Sequence, residues 1–423
     1  MTQGPPPAGA PPHVVLIAPN LDRDDVGETA TSFRLIRAMA DTGRVRLTVL
    51  VLQRPGRVPA IEQLPDLRVI AWPEPAWLLR SERFNAMLKP AIPPFYARVR
   101  RWLQTEMTTV RADPARRIDL VHQMLPRAPR YASPLPGLGL PYMIGPVGGA
   151  IPMPPAFREP GSERWFTRLR SLDSHRFARD PWLRRGFAEA DLVLGVAPYM
   201  AQVMADLPIR RFAPFLGIGV DELAPPVTRQ SEPGRLQLLQ VGRAVRTKGL
   251  RESVRALALL DDLPQVTLTV VGDGDDIAVA QDIAQAANLG DRVRFLGKRP
   301  RAEIEALYQS HDALIFPSFR ESMGAVLYEA MRWGMPVITV DHGGPGYIAD
   351  ATCGLIAPLT TPEELPRDLA LRIRLLAGDP DLRARLGAGA RARVEAEALW
   401  PAKAQAMLGL YDSVLAARRA AAS

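Results

Sequence analysis

Cysteine is almost missing from this 423-residue chain: Cys353 stands alone. A disulfide framework is therefore excluded, and a reducing, cytoplasmic compartment is expected. Long apolar runs are missing too, and none nears the ~18 residues of a membrane-spanning helix. Residues 1–12 are rich in Pro, Gly and Ala but lack a charged start and an apolar centre. They read as a disordered tail rather than a signal peptide. Acidic charge is short in the first half. The net charge is +8, all of it in residues 1–225, while 226–423 balance. Two sources stay open: an anionic surface or substrate near the first half, or a genomic bias toward Arg and Ala. No nucleic-acid-binding module accompanies the modest basic excess, so nucleic acid is not an expected partner.

The chain does have enough apolar material for two or three domains, with 47% hydrophobic and 23% charged residues. In the first half a strand over 13–18 leads through a loop holding Gly27-Glu28-Thr29 into a helix over 30–41, then strands over 45–52 and 67–72. That order begins a parallel, doubly wound sheet, in which ligands bind beyond the carboxyl ends of strands. Gly27 is thereby placed near a ligand. Asp22, Asp24 and Asp25 read as an exposed polar loop rather than a metal site. A strand over 119–122 ends in His122, either a structural histidine or one facing a cleft. Residues 142–144 form a strand running into Gly145-Pro146-Val147-Gly148-Gly149, and 191–196 form another. Basic residues interleave with aromatics over 77–107, and a second basic stretch covers 164–185. Both fit an anionic bilayer surface or ordinary helices with solvated arginines. The polar, proline-containing segment 225–234 is the best interdomain linker.

The second half restarts the rhythm. A strand over 236–241 opens into Gly242-Arg243-Ala244-Val245-Arg246-Thr247-Lys248-Gly249, followed by a helix over 250–260. Two cations at a strand-to-helix turn suit a diphosphate, Arg243 as a planar fork and Lys248 as a point charge. This is no P-loop, because the Gly-Lys-Ser/Thr order is absent. A strand over 266–271 leads to Gly272-Asp273-Gly274-Asp275, which lacks the third glycine of a dinucleotide turn and so disfavours a nicotinamide dehydrogenase. The central stretch is a strand over 313–316, a loop with Pro317-Ser318-Phe319-Arg320-Glu321-Ser322, and a helix over 323–333 stopped by Gly334 and Pro336. Free amides at such a helix start suit a phosphate. Glu321 and Glu329 are hydroxyl acceptors, as for a sugar or ribose. Together these point to a sugar nucleotide. A strand over 337–340 then enters Asp341-His342-Gly343-Gly344-Pro345-Gly346. Thr361-Pro362-Glu363-Glu364 reads as a capping box with proline at the first helical position, and the last helix covers 401–416.

Gly242-Arg243 with Lys248-Gly249, the Glu321–Glu329 pair in its Pro-Ser-Phe-Arg-Glu-Ser frame, Gly343-Gly344-Pro345 and His122 at a strand end resemble the retaining glycosyltransferases of family 4. The resemblance is densest over 236–357. It implies an α/β chain of the GT-B fold, two Rossmann-like doubly wound domains facing across a cleft. The expected division is a tail at 1–12, an acceptor-side domain at 13–225, a nucleotide-sugar domain at 226–400, and a C-terminal helix at 401–423, with packing back on the first domain left open. The resemblance further implies that Arg243 and Lys248 neutralise the diphosphate leaving group in the loop begun by Gly242, helped by amides near Met323, Gly324 and Ala325. Glu321 would hold sugar hydroxyls and Glu329 the ribose. His122 would approach the transferred sugar, and the Gly27 loop would meet the phosphates. No cofactor or metal is expected, since cations are supplied by the protein. The expected partners are a nucleotide-sugar donor, a carbohydrate or lipid-linked acceptor of envelope polysaccharide, lipopolysaccharide or glycolipid assembly, and an anionic membrane surface, with a peripheral position on its inner face left open. Family members often carry an acidic residue after Gly-Gly-Pro, whereas Gly346 and Tyr347 follow here. A sugar-nucleotide epimerase, a phosphorylase and a non-catalytic nucleotide-sugar-binding protein remain alternatives.

Overall fold

The strands of both halves are short and apolar on both faces, which only a parallel sheet covered on each side can bury. A computed structural model describes residues 10–19, 21, 27–53, 67–74, 89–109, 116–149, 151–158, 171–229 and 232–422. Most of the tail 1–12, the Asp22, Asp24 and Asp25 cluster, residues 77–88 of the first basic stretch and 164–170 of the second lie outside these. Among the described residues no helix is long and apolar enough to cross a membrane.

The chain divides into two units: Met1–Ala150, Glu163–Gly217 and Trp400–Ser423 form one, Ile151–Ser162 and Ile218–Leu399 the other. The division differs from the expected one in two ways. Residues 218–225 go with the second unit, because Val220 N–H donates to Ala398 O at 2.9 Å and Ala224 N–H to Arg332 O at 3.2 Å. A short piece of the first half, 151–158, also packs into the second core through Phe157.

The first unit holds β1 (His13–Ile17), β2 (Arg46–Gln53), β3 (Leu67–Pro73), β4 (Leu120–Gln123), β5 (Tyr142–Val147), β6 (Leu192–Gly195) and β7 (Phe212–Pro214). Their order is β3-β2-β1-β4-β5-β6-β7, with every pairing parallel. One face is closed by the helix Glu28–Ala40 and the terminal helix Trp400–Ala422, which lie in contact. Trp400, Met407, Tyr411 and Val414 enter the same buried cluster as Leu16, Leu47 and Met143. The second unit holds β8 (Leu236–Val241), β9 (Val266–Val271), β10 (Val293–Phe295), β11 (Ala313–Phe316), β12 (Val337–Val340) and β13 (Gly354–Ala357) in the order β10-β9-β8-β11-β12-β13, again all parallel. That order reverses between β8 and β11, the place where Rossmann sheets open a crevice at their carboxyl ends.

Two helix starts come later than the sequence suggests. Gly324 takes a left-handed conformation, so the helix after β11 is Ala325–Met331. Pro362 lies in a turn before the helix Leu365–Gly378, although Thr361 Oγ1 does accept from the Glu364 amide at 3.2 Å.

Candidate functional site

Beyond the carboxyl end of β8 the chain runs through Gly242 and Arg243 into a one-turn segment, Arg246–Lys248, and then the helix Leu250–Ala258. Beyond β11 it runs through 317–321. Gly249 brings these loops together. It has φ of 69°, and a Cβ there would stand 2.3 Å from Pro317 O, so no other residue allows this approach. Thr247 O then accepts from the Phe319 amide at 3.1 Å and from Ser318 Oγ at 3.0 Å.

Across this junction the Lys248 ammonium meets Glu321 Oε2. The Met323 amide donates to the other carboxylate oxygen at 3.2 Å, and Lys248 Nζ lies 5.4 Å from the Phe316 ring centroid. Burial alone would raise the Glu321 carboxyl, but the charge and hydrogen bond of Lys248 and the amides of Met323 and Gly324 outweigh it and hold it below its ordinary range. Glu321 is therefore ionised at neutral pH, with 12% of the Lys248 side chain and 23% of that of Glu321 exposed. Arg243 lies beside it in the same hollow as Gly242, Lys248 and Phe316, exposed and without an ion-pair partner among the described residues. The result is one free cation, one shared cation and a carboxylate at the switch point of a parallel sheet. Such a set binds a diphosphate and hydroxyl groups together.

The loop after β12 supports this junction from behind. Gly344 N–H donates to Glu321 O at 2.9 Å, and a Cβ on Gly343 would stand 2.4 Å from that same oxygen. The Gly-Gly-Pro motif thus lets the two loops touch, and Pro345 lies against Gly324. Glu329, on the helix Ala325–Met331, is held separately. Tyr308 Oη donates to its Oε2 at 3.1 Å, and Arg301 Nη1 lies 3.0 Å from Oε1. Burial and the nearby Glu329 push the Tyr308 hydroxyl well up. Gly242, Arg243, Lys248, Glu321, Met323 and Gly324 thus fall on the β8 and β11 loops, and Ala325 and Glu329 on the helix that follows β11, all in one unit. Sequence reasoning missed Arg246, Glu252 and Phe157, which pack under these loops. The first two lie close in sequence, but no local signal connects Phe157 to them.

His122 belongs elsewhere. It is fully buried in β4, with Nδ1 2.8 Å from Tyr411 Oη and Nε2 2.6 Å from Gly145 O. Burial, partly opposed by the Gly145 carbonyl, lowers it to about 4. A neutral ring with both nitrogens bonded in the core of the first unit presents no edge to a sugar, which corrects the role expected for it. Gly27 caps the helix Glu28–Ala40, where its carbonyl accepts from Thr31 Oγ1 at 2.9 Å.

A profile of the family described as "Glycosyl transferases group 1" matches residues 228–393, a span containing the β8, β11 and β12 loops. Residues 228–393 are thus similar to the glycosyl transferases group 1 family. The chain is 33% identical to a D-inositol 3-phosphate glycosyltransferase of Corynebacterium jeikeium over 215 residues, 47% of this chain and 50% of that one. It is 30% identical to a glycogen synthase of Mycobacterium tuberculosis over 266 residues, 60% of each. It therefore spans between half and three-fifths of these curated relatives. Among solved structures, a sucrose-phosphate synthase from Thermosynechococcus elongatus superposes with a TM-score of 0.62 at 22% identity, covering 96% of this chain and 100% of that one. That likeness extends to the fold, the two-domain Rossmann-like GT-B class.

Proposed function

We propose that this protein is a metal-independent, retaining glycosyltransferase that moves a sugar from a nucleotide diphosphate sugar to a carbohydrate or lipid-linked acceptor. The observation that carries the proposal is the Lys248–Glu321 pair at the β8/β11 switch point, inside the group 1 region. Loss of the sugar leaves a diphosphate whose developing charge needs preorganised cations. Lys248 and Arg243 supply them. Glu321, kept ionised by Lys248 and two amides, accepts from sugar hydroxyls, and Glu329 accepts from the ribose. Donor binding draws the Lys248 ammonium partly from Glu321 to the phosphates, so the pair serves both ends of the bond that breaks. His122 has no part in this assignment. The curated relatives are named for inositol phosphate and for glycogen, acceptors as unlike as the proposal allows. The basic first half favours an acceptor at an anionic membrane face on the cytoplasmic side.

The test is thermal stabilisation by uridine, guanosine and adenosine diphosphates and their sugars, in wild type and in Lys248→Ala. A ligand at a hundred times its dissociation constant adds about 2.7 kcal/mol. We expect one base to stabilise the wild type and not the variant. A chain indifferent to all three sinks the proposal. Product analysis with the active donor then separates transfer from epimerisation, which isomerises the donor, and from phosphorolysis, which consumes phosphate. Sedimentation with anionic vesicles at low salt tests the membrane part, and a protein left in the supernatant removes it.

A further inference from the structure

Arg246 lies two residues before Lys248, in the same one-turn segment. Its Nη1 donates to Glu252 Oε2 at 2.9 Å, and its Nη2 stands 2.8 Å from Oε1. Glu252 is fully buried in the first turn of the helix Leu250–Ala258. The Arg246 guanidinium also lies 5.0 Å from the ring centroid of Phe319 and 5.8 Å from that of Phe157, two rings 4.4 Å apart. Phe319 is two residues before Glu321. One guanidinium is therefore joined through the backbone to the cation of the site and through a stacked ring to the loop of its carboxylate. Stability alone does not call for this device, since an apolar pair of like volume fills such a space at no net cost. What an arginine so placed adds is orientation, because its planar guanidinium holds the buried carboxylate and the ring at once.

We propose that Arg246 is a positioning residue that sets the spacing of Lys248 and Glu321 and so makes the site discriminate a nucleoside diphosphate from the monophosphate of the same base. This rests on the nucleotide-sugar assignment above and adds to it the group that tunes the phosphate subsite.

The measurement is the ratio of the two affinities by titration calorimetry, using the full chain and the base that the wild type accepts. If the wild type binds neither nucleotide, the assignment itself fails and takes this proposal with it. Given binding, the charge-free pair Arg246→Met with Glu252→Gln avoids stranding a buried carboxylate. It should unfold near the wild-type midpoint yet lose about tenfold in the ratio, the scale of coupling between contacting groups. In a Lys248→Ala background the same pair of changes should move the ratio less than about twofold, since the effect travels through Lys248. Arg246→Lys keeps the charge without the fork and should show part of the loss, which preserves the test if the charge-free pair does not fold. An unchanged ratio in the folded variants, or an equal drop with and without Lys248, overturns the proposal.

Discussion

The first sheet reverses its winding between β1 and β4, the second between β8 and β11, and the two places are filled in opposite ways. At the first, His122 closes on Tyr411 and Gly145, and nearby Arg127, 5% exposed, donates through Nη2 to Thr31 Oγ1 at 2.8 Å and to Gly217 O at 3.1 Å. Burial, partly offset by Glu28, pushes that guanidinium down to about 10. At the second, Lys248 and Glu321 remain partly exposed and Arg243 exposed. Topology offers a crevice in both sheets, but in the first unit the polar groups there are spent on the protein itself. In the second they stay partly open, Arg243 exposed and the Lys248–Glu321 pair partly covered. Net charge alone points the other way, since the excess of +8 lies in residues 1–225.

The largest expected effect separates the two places by activity. Lys248→Ala should lower turnover about 10²- to 10³-fold, as removal of a preorganised donor does. His122→Asn should stay within about threefold per folded molecule, because it removes no group that touches the reacting atoms. Comparable losses in steady-state kinetics would break the contrast.

Acid should act on both units alike. His122 in the first and His311 in the second are each lowered to about 4 from 6.5, chiefly by burial, against the pull of a carbonyl partner. Both are neutral when folded, while the unfolded chain binds protons from about pH 6.5 downward. Stability is thus full above that pH and is lost as pH falls from 6.5 to about 4, by up to a few kcal/mol for each group. Hydrogen exchange resolved by peptide at pH 7 and 4.5 should show both units loosening, with His122→Asn reducing the effect in the first alone, where His13, also lowered by burial, keeps the rest. Protection insensitive to pH in the wild type would refute this.

The smallest effect is local. Tyr411→Phe removes the hydroxyl facing His122 Nδ1 and should destabilise the first unit by about 1–2 kcal/mol, the cost of a stranded buried group. Nucleotide affinity should not change. A weakened affinity would mean that the first unit's plug also serves the site.

Two strands of the second half were legible because their apolar residues are buried: 236–241 and 266–271 match β8 and β9 to the residue. The placing of Arg243, Lys248 and Glu321 at one end of the sheet was legible as well, since a sheet of this winding delivers strand-to-helix loops to one end whatever lies between them. His122 was not, because the partner that fixes its role is 289 residues away. Arg246 was not singled out, because Phe157, which lies against it, comes from the first half of the chain. The linker at 225–234 was read from proline and polar composition, whereas the units part at Gly217/Ile218. That boundary depends on long-range bonds such as Val220 to Ala398, which composition does not record.

The wall that Trp400, Met407, Tyr411 and Val414 give to the first unit also sets an order of events on the ribosome. The sheet of that unit emerges early but cannot close its apolar face until residues 218–399 have been made. At about 5–20 residues per second, that is a wait of roughly 10–40 s. The second unit, contiguous apart from 151–162, completes first although it is translated later. The first sheet therefore keeps that face uncovered for as long as the second unit is being made, and closes only with the last residues of the chain described.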